Sequence, residues 1–146
     1  MNLSSRNKEK ENPMGPNEKI LREVYARYIE GNLDKVLALM ADDVVMKSVG
    51  APNRIDHAGE WHGLEGVRGF IAAIAEHWTF EKIEMLEMIA QNDTRFVVRT
   101  AVTGVSTRTG ARVNVERVDF VTMANGKCKS YEETFDTSPL ERATRL

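Results

Sequence analysis

Glu133 is a residue whose type could move a proton if its strand face turns inward. It lies in Tyr131-Glu132-Glu133-Thr134-Phe135, a strand-like stretch whose alternation sets Glu133 on one face with Tyr131 and Phe135. A carboxylate turned into apolar surroundings loses hydration, a setting that suits a general acid or base. The alternative is a glutamate paired with an arginine or set at a pocket mouth. The other constellations carry less chemistry. His57, Glu60 and His62 are close in sequence but do not follow H-E-x-x-H spacing and have no cysteine nearby, so no metal site is expected. Cys128, the lone cysteine, sits between Lys127 and Lys129; these favour a thiolate, but without a matched His or Asn the thiol reads as inert. Gly63, Gly66 and Gly69 match neither the dinucleotide fingerprint nor a P-loop and read as packing glycines. No G-x-S-x-G elbow occurs. Arg117 and Asp119 share one strand face, as do Arg95 and Arg99 on a neighbouring strand. Both pairs read as a solvated or dimer-facing charge lattice.

These residues need a scaffold. Ile20, Leu21, Val24, Tyr25, Tyr28 and Ile29 recur at three- and four-residue spacing and predict a helix over 17–30, capped by Asn17 and ended by Gly31. Asn32 caps a second helix, with Leu33, Val36, Leu37, Leu39 and Met40 on its buried face. A strand follows over 44–49, then a loop with Gly50, Pro52 and Gly59, a brief strand over 60–62 and a third helix over 63–78. Gly66 and Gly69, one turn apart in that helix, predict close packing against a flat neighbour. From Phe80 onward the pattern is sheet: strands over 80–90, 94–107, 112–123 and 127–136, with Asn125-Gly126 as a hairpin turn. Phe96, Val98, Thr100 and Val102 share one face. Between 112 and 123 the parity is mixed, and a bulge near Glu116-Arg117 is expected to reconcile Val113 and Val115 with Val118 and Phe120. Helices first and consecutive hairpins after indicate an α+β fold, a curved, mostly antiparallel sheet wrapping amphipathic helices around a central pocket.

The 146 residues suit one domain over 17–146, preceded by a polar leader over 1–16 expected to lack fixed packing. Basic residues number 20 and acidic ones 22, a balance that argues against nucleic-acid binding. No apolar run is long enough to span a bilayer, and Met1 to Lys10 lack the apolar core of a signal peptide. The single cysteine allows no intrachain disulfide. A cytoplasmic location, no membrane partner and no cofactor are the expectations.

Several phrases then fall into a known series: Ala26-Arg27-Tyr28-Ile29-Glu30, Ala41-Asp42-Asp43-Val44, His62-Gly63-Leu64-Glu65-Gly66-Val67, Asn125-Gly126-Lys127 and Tyr131-Glu132-Glu133-Thr134-Phe135-Asp136. In order and spacing the chain from Asn17 to about Ser138 resembles the SnoaL-like polyketide cyclase and ketosteroid isomerase-like families of the nuclear transport factor 2-like superfamily. The resemblance implies a cone of helices and curved sheet with an inner pocket, commonly dimeric through the sheet's outer face. Against the ketosteroid isomerases, Tyr28 matches the oxyanion-hole tyrosine, while Ser48 falls at the base and Val118 at the protonated acid. Against the limonene epoxide hydrolases, which use an arginine flanked by two aspartates, Thr100 falls at the arginine, Val102 at one aspartate and Glu133 at the other. The hydrolase resemblance makes the face of Glu133 the pocket face.

Two functions stay open. In the first, the chain is an isomerase, cyclase or dehydratase acting on a hydrophobic, cyclic or polyketide-like carbonyl compound. Glu133 takes the proton and Tyr28 hydrogen-bonds the enolate oxygen. Ser48 and His62 orient the substrate, with His62 also read as a loop anchor, and Trp78, Phe96, Val118, Phe120 and Tyr131 line the pocket. In the second, the same cone holds an apolar ligand without chemistry or serves as a homodimeric interaction surface.

Overall fold

In the computed structural model, residues 13–145 are described; most of the polar leader, residues 1–12, lies outside them. Helix α1 spans Pro16–Ile29, α2 Leu33–Ala38, β1 Met40–Ser48, β2 Gly59–His62 and α3 Gly63–His77. Then come β3 Trp78–Gln91, β4 Arg95–Ser106, β5 Arg112–Ala124, β6 Lys127–Thr134 and α4 Ser138–Ala143. The six strands form one mixed sheet in the order β2-β1-β6-β5-β4-β3. All neighbours are antiparallel except β1 and β6, which run parallel. The α+β architecture is the expected one, and the helices cover a single face of the sheet. No helix among the described residues is long and apolar enough to cross a membrane.

Sequence chemistry explains most boundaries, and also the departures from expectation. The second helix stops at Ala38 instead of running to Met40, because Met40 already pairs with Cys128 of β6. Asn32 caps it as predicted, its side chain accepting from the Lys35 amide. The C-terminal strand ends at Thr134, and α4, which the sequence reading did not foresee, follows it. Asn125 and Gly126 both adopt positive φ, the geometry of a type I′ hairpin turn. The close approach expected at Gly66 and Gly69 is real. A Cβ on Gly66 would sit 2.8 Å from the Trp61 backbone and one on Gly69 3.0 Å from the indole, so α3 lies directly on β2.

The start of α1 is held from a distance rather than by Asn17 as a local cap. The Asp93 carboxylate, in the turn between β3 and β4, accepts from the Asn17 and Glu18 amides at 3.0 and 2.9 Å. Asn17 in turn donates to the Asp93 carbonyl and accepts from the Gly126 amide. One carboxylate thus satisfies orphan amides, complements the helix dipole and ties α1 to two hairpin turns. Asp93→Ala is expected to lower stability by about 1–2 kcal/mol, the usual cost of losing a helix cap. Urea unfolding of the two proteins measures it, and an unchanged midpoint would contradict the assignment.

The core lies between the helices and the inner face of the sheet. Leu21 and Tyr25 of α1, Val36 and Leu37 of α2, and Val67, Phe70 and Ile74 of α3 pack on Val44, Phe96, Val98 and Val121. Strand β4 alternates without a break, its even residues buried. Strand β5 alternates as well, with Arg117, Asp119, Val121 and Met123 buried on the odd face. The bulge expected near Glu116-Arg117 is absent. The register shift of this strand falls between Thr122 and Met123, against β6.

Candidate functional site

Because β5 keeps one parity, its inner face carries Arg117 and Asp119, and its outer face carries Val118 and Phe120. Register then sets a polar row across the middle of the sheet. Ser48 pairs with Glu133, Glu133 with Asp119, and Asp119 with Val98. One step along lies an apolar row of Met46, Tyr131, Val121 and Phe96. On the other side Arg117 stands opposite Thr100. The polar row is therefore fenced by core residues and capped by helices. Arg117 is 7% exposed, Asp119 0% and Glu133 1%.

Glu133 is paired with an arginine, the alternative its sequence context left open, and the pair lies inside the molecule. Ser48 Oγ donates to its Oε1 at 2.5 Å and the Tyr131 hydroxyl to its Oε2 at 3.1 Å. Arg117 Nη1 lies 3.3 Å from Oε2, and His57 Nε2 lies 3.7 Å from Oε1. The Arg117 Nε is 3.2 Å from Asp119 Oδ1, and Tyr25 donates to Asp119 Oδ2 at 2.6 Å. An arginine flanked by two carboxylates is thus assembled, but from β5 and β6. The charge lattice expected of Arg117 and Asp119 is inside the molecule. Arg95 and Arg99 do face outward, where Arg99 pairs with Glu87 and Glu116.

Burial and neighbours set the proton affinities. Burial raises the Asp119 carboxyl above its usual range; Arg117 opposes the rise and Glu133 adds to it. For Arg117, burial alone would favour neutrality, but Tyr131, Asp119, Glu133 and Tyr25 outweigh it and hold the guanidinium charged. Burial, with Asp119 second, holds the Tyr25 phenol well above its ordinary value. Two ions and a third ionisable acid in a dry interior cost several kcal/mol each in lost hydration, so good geometry must offset that cost.

Two chambers flank Arg117. The first is bounded at its polar end by His57, Arg117 and Glu133, and along its walls by Trp78, Phe80, Val102 and Val115. The second lies beneath α1, bounded by Tyr25, Tyr28, Phe70, Arg117 and Tyr131. Each encloses about 40 Å³. The sequence-predicted residues distribute unevenly around them. Glu133 and Trp78 meet the first chamber and Tyr28 and Tyr131 the second, while Ser48 touches the Glu133 carboxylate. Tyr28 is therefore separated from Glu133, and burial pushes its phenol up to about 12. Phe96 is buried in the core and lines neither chamber. Val118 lies on the outer face, Phe120 is 48% exposed there, and His62 stands in solvent beside Glu60. The pocket wall expected of Val118 and Phe120, and the substrate contact expected of His62, are therefore lost. Phe120 and His62 instead line a wide outer groove of the sheet. Cys128 is buried, and burial pushes its thiol up to about 12; Lys127 turns to the Ala38 carbonyl and Lys129 to Asp43.

Arg117, Asp119, Tyr25 and His57 are the functional candidates that sequence reasoning passed over. For Arg117 and Asp119 the signal was present: both share the odd parity of Val113, Val115, Val121 and Met123. His57 had none, since it rides on the loop between β1 and β2. Its ring is wedged between Phe70, edge-on at 5.9 Å, and Phe135, stacked at 6.3 Å. Burial first, and Arg117 second, lower its pKa from 6.5 to about 4. Between these values the unfolded chain binds a proton that the folded protein refuses, so stability falls as pH drops through this window. Between about pH 7 and pH 5 His57 should cost about 2 kcal/mol. Urea unfolding at both pH values should show that loss in the native protein and a smaller one in His57→Gln. Equal losses would exclude this residue as the cause.

The comparisons agree with this architecture. A solved nuclear transport factor 2-like protein of unknown function from Burkholderia pseudomallei superposes with a TM-score of 0.80 at 24% identity, over 91% of this chain and 100% of that one. TerC, co-crystallised with polyporic acid, superposes at 0.76 with 22% identity, over 89% of this chain and 98% of that one. A protein from Mesorhizobium loti, described as a SnoaL-like polyketide cyclase candidate, gives 0.66 at 18% identity, over 80% and 97%. No curated protein sequence matches the chain. The model of the SnoaL-like domain matches residues 21–131, most of the described length. The chain belongs to the SnoaL-like domain family.

Proposed function

We propose that the protein is an acid–base enzyme of the isomerase or cyclase type, acting on a small, uncharged, hydrophobic carbonyl compound. The observation that carries this reading is Glu133, a carboxylate 1% exposed at the polar end of an apolar chamber with a guanidinium beside it. Glu133 takes the proton from the carbon next to the carbonyl. Arg117 stabilises the oxygen that gains charge. Ser48 and Tyr131 fix the carboxylate, so Ser48 orients the base rather than the substrate. Tyr28 contacts the part of a ligand that reaches the second chamber. The first chamber encloses about 40 Å³, whereas small-molecule pockets commonly hold about 300–1,000 Å³. A cyclic substrate therefore needs Leu140 and Phe135 at the chamber wall to move outward. The same reading takes the protein as a cytoplasmic homodimer, paired through the outer sheet groove that exposes Phe120 and Ile89.

The test is exchange of α-protons of cyclopentanone in heavy water, followed by NMR. The native protein should accelerate it and Glu133→Gln should not. Exchange at the native rate in Glu133→Gln would overturn the assignment. No acceleration by either protein would favour the second reading, a cone that holds ligands without chemistry.

A further inference from the structure

We propose that the first chamber recognises its ligand by a hydroxyl group that donates to His57 Nδ1. The proposal rests on the reading of this chamber as the ligand site and names the chemistry of what it takes. His57 is 5% exposed and borders the chamber. Its ring cannot turn freely, being held between Phe70 and Phe135. Its two nitrogens meet different surroundings. Nε2 faces Glu133 Oε1 at 3.7 Å, and Glu133 is an acceptor already served by Ser48, Tyr131 and Arg117. A carboxylate on that side favours the tautomer with the proton on Nε2. A neutral imidazole has one donor and one acceptor, so Nδ1 then carries a lone pair. That atom is buried and has no hydrogen-bond partner.

A buried acceptor without a partner is unfavourable, and groups of this kind call for an explanation. A ketone oxygen cannot supply one, since it has no proton to give. Arg117 already answers that need at the same end of the chamber. A cation is poorly suited, because the guanidinium stands beside it and the walls are Trp78, Phe80, Val102 and Val115. What remains is an uncharged O–H donor. Two sources share that chemistry, the hydroxyl of an alcohol or enol and a water molecule. Both fit a volume of about 40 Å³.

The test needs no turnover, so it stands or falls apart from the exchange experiment. Imidazole 15N NMR at neutral pH reads the tautomer and the hydrogen bonding of each nitrogen. His62→Gln and His77→Gln assign the signals, since these are the other histidines. The probes are propan-2-ol and acetone, which share a skeleton but differ in the donated proton. The expected spectrum shows His57 neutral with its proton on Nε2. Propan-2-ol should then shift the Nδ1 resonance upfield, and acetone should leave it in place. If Nδ1 already resonates as a hydrogen-bonded acceptor in buffer and neither probe moves it, a resident water satisfies it and the proposed ligand hydroxyl is excluded. A proton on Nδ1, a charged ring at neutral pH, or an unbonded Nδ1 that propan-2-ol fails to shift would overturn the proposal. So would a response to acetone equal to that of propan-2-ol.

Discussion

Glu133→Gln is expected to slow α-proton exchange by about 10²–10⁴-fold, the usual worth of a positioned general base. The substitution keeps the shape of the side chain and an oxygen for Ser48 Oγ, but removes the lone pair that accepts the carbon proton. It also places an amide NH₂ near donors, since Arg117 Nη1 and the Tyr131 hydroxyl both point at Oε2. Some stability is lost for that reason, and circular dichroism with urea unfolding must accompany the rate measurement. A folded variant with the rate gone supports Glu133 as the base. Tyr131→Phe separates positioning from chemistry: removal of one donor should lower the rate far less than removal of the carboxylate.

The second large effect is on stability. Arg117→Met should cost about 3–5 kcal/mol, because it strips the counter-charge from Asp119 and Glu133 without giving either a new partner. That is a large share of the roughly 5–15 kcal/mol that holds an ordinary domain together. Methionine approximates the volume of the arginine stem, so the loss measures charge more than packing. Urea midpoints supply the reading. Adding Asp119→Asn and Glu133→Gln to the same background should recover part of the loss, since the three side chains act as one unit. A single-variant cost under about 1 kcal/mol would mean that water reaches the row and the ions are not truly paired.

The outline of the fold was legible before any coordinates because the patterns carrying it are long. The apolar stripe of α1, the unbroken alternation of β4 and the Asn125-Gly126 turn each rest on local rules. The third helix and its glycines were legible for the same reason. The polar row was not. Arg117 and Asp119 were read as solvent-facing because charge usually goes out, and Val118 and Phe120 as inward because apolar side chains usually go in. Here both preferences yield to strand parity, and the exposed Phe120 and buried Arg117 are two sides of one choice. Glu133 and Ser48 were legible as a face and a family position, but their hydrogen bond depends on β1 lying parallel to β6. Nothing local signals that pairing. His57 was hidden for a different reason: a loop side chain has no periodicity, and only the rings of Phe70 and Phe135 fix where it points. Asp93 likewise caps a helix through Asn17, 76 positions before it.

The strand order has a consequence for biosynthesis. Strands β1 and β2 belong to one half of the sheet and β3, β4 and β5 to the other, and only β6 touches both. A nascent chain emerging from the ribosome therefore carries a two-stranded and a three-stranded fragment with bare edges until residues Lys127–Thr134 are released. The keystone strand that closes the gap also delivers Glu133, so the acid enters its place in the same event that joins the halves. A prematurely terminated product would lack both, which makes Lys127–Thr134 the segment on which closure of the sheet and placement of Glu133 depend together.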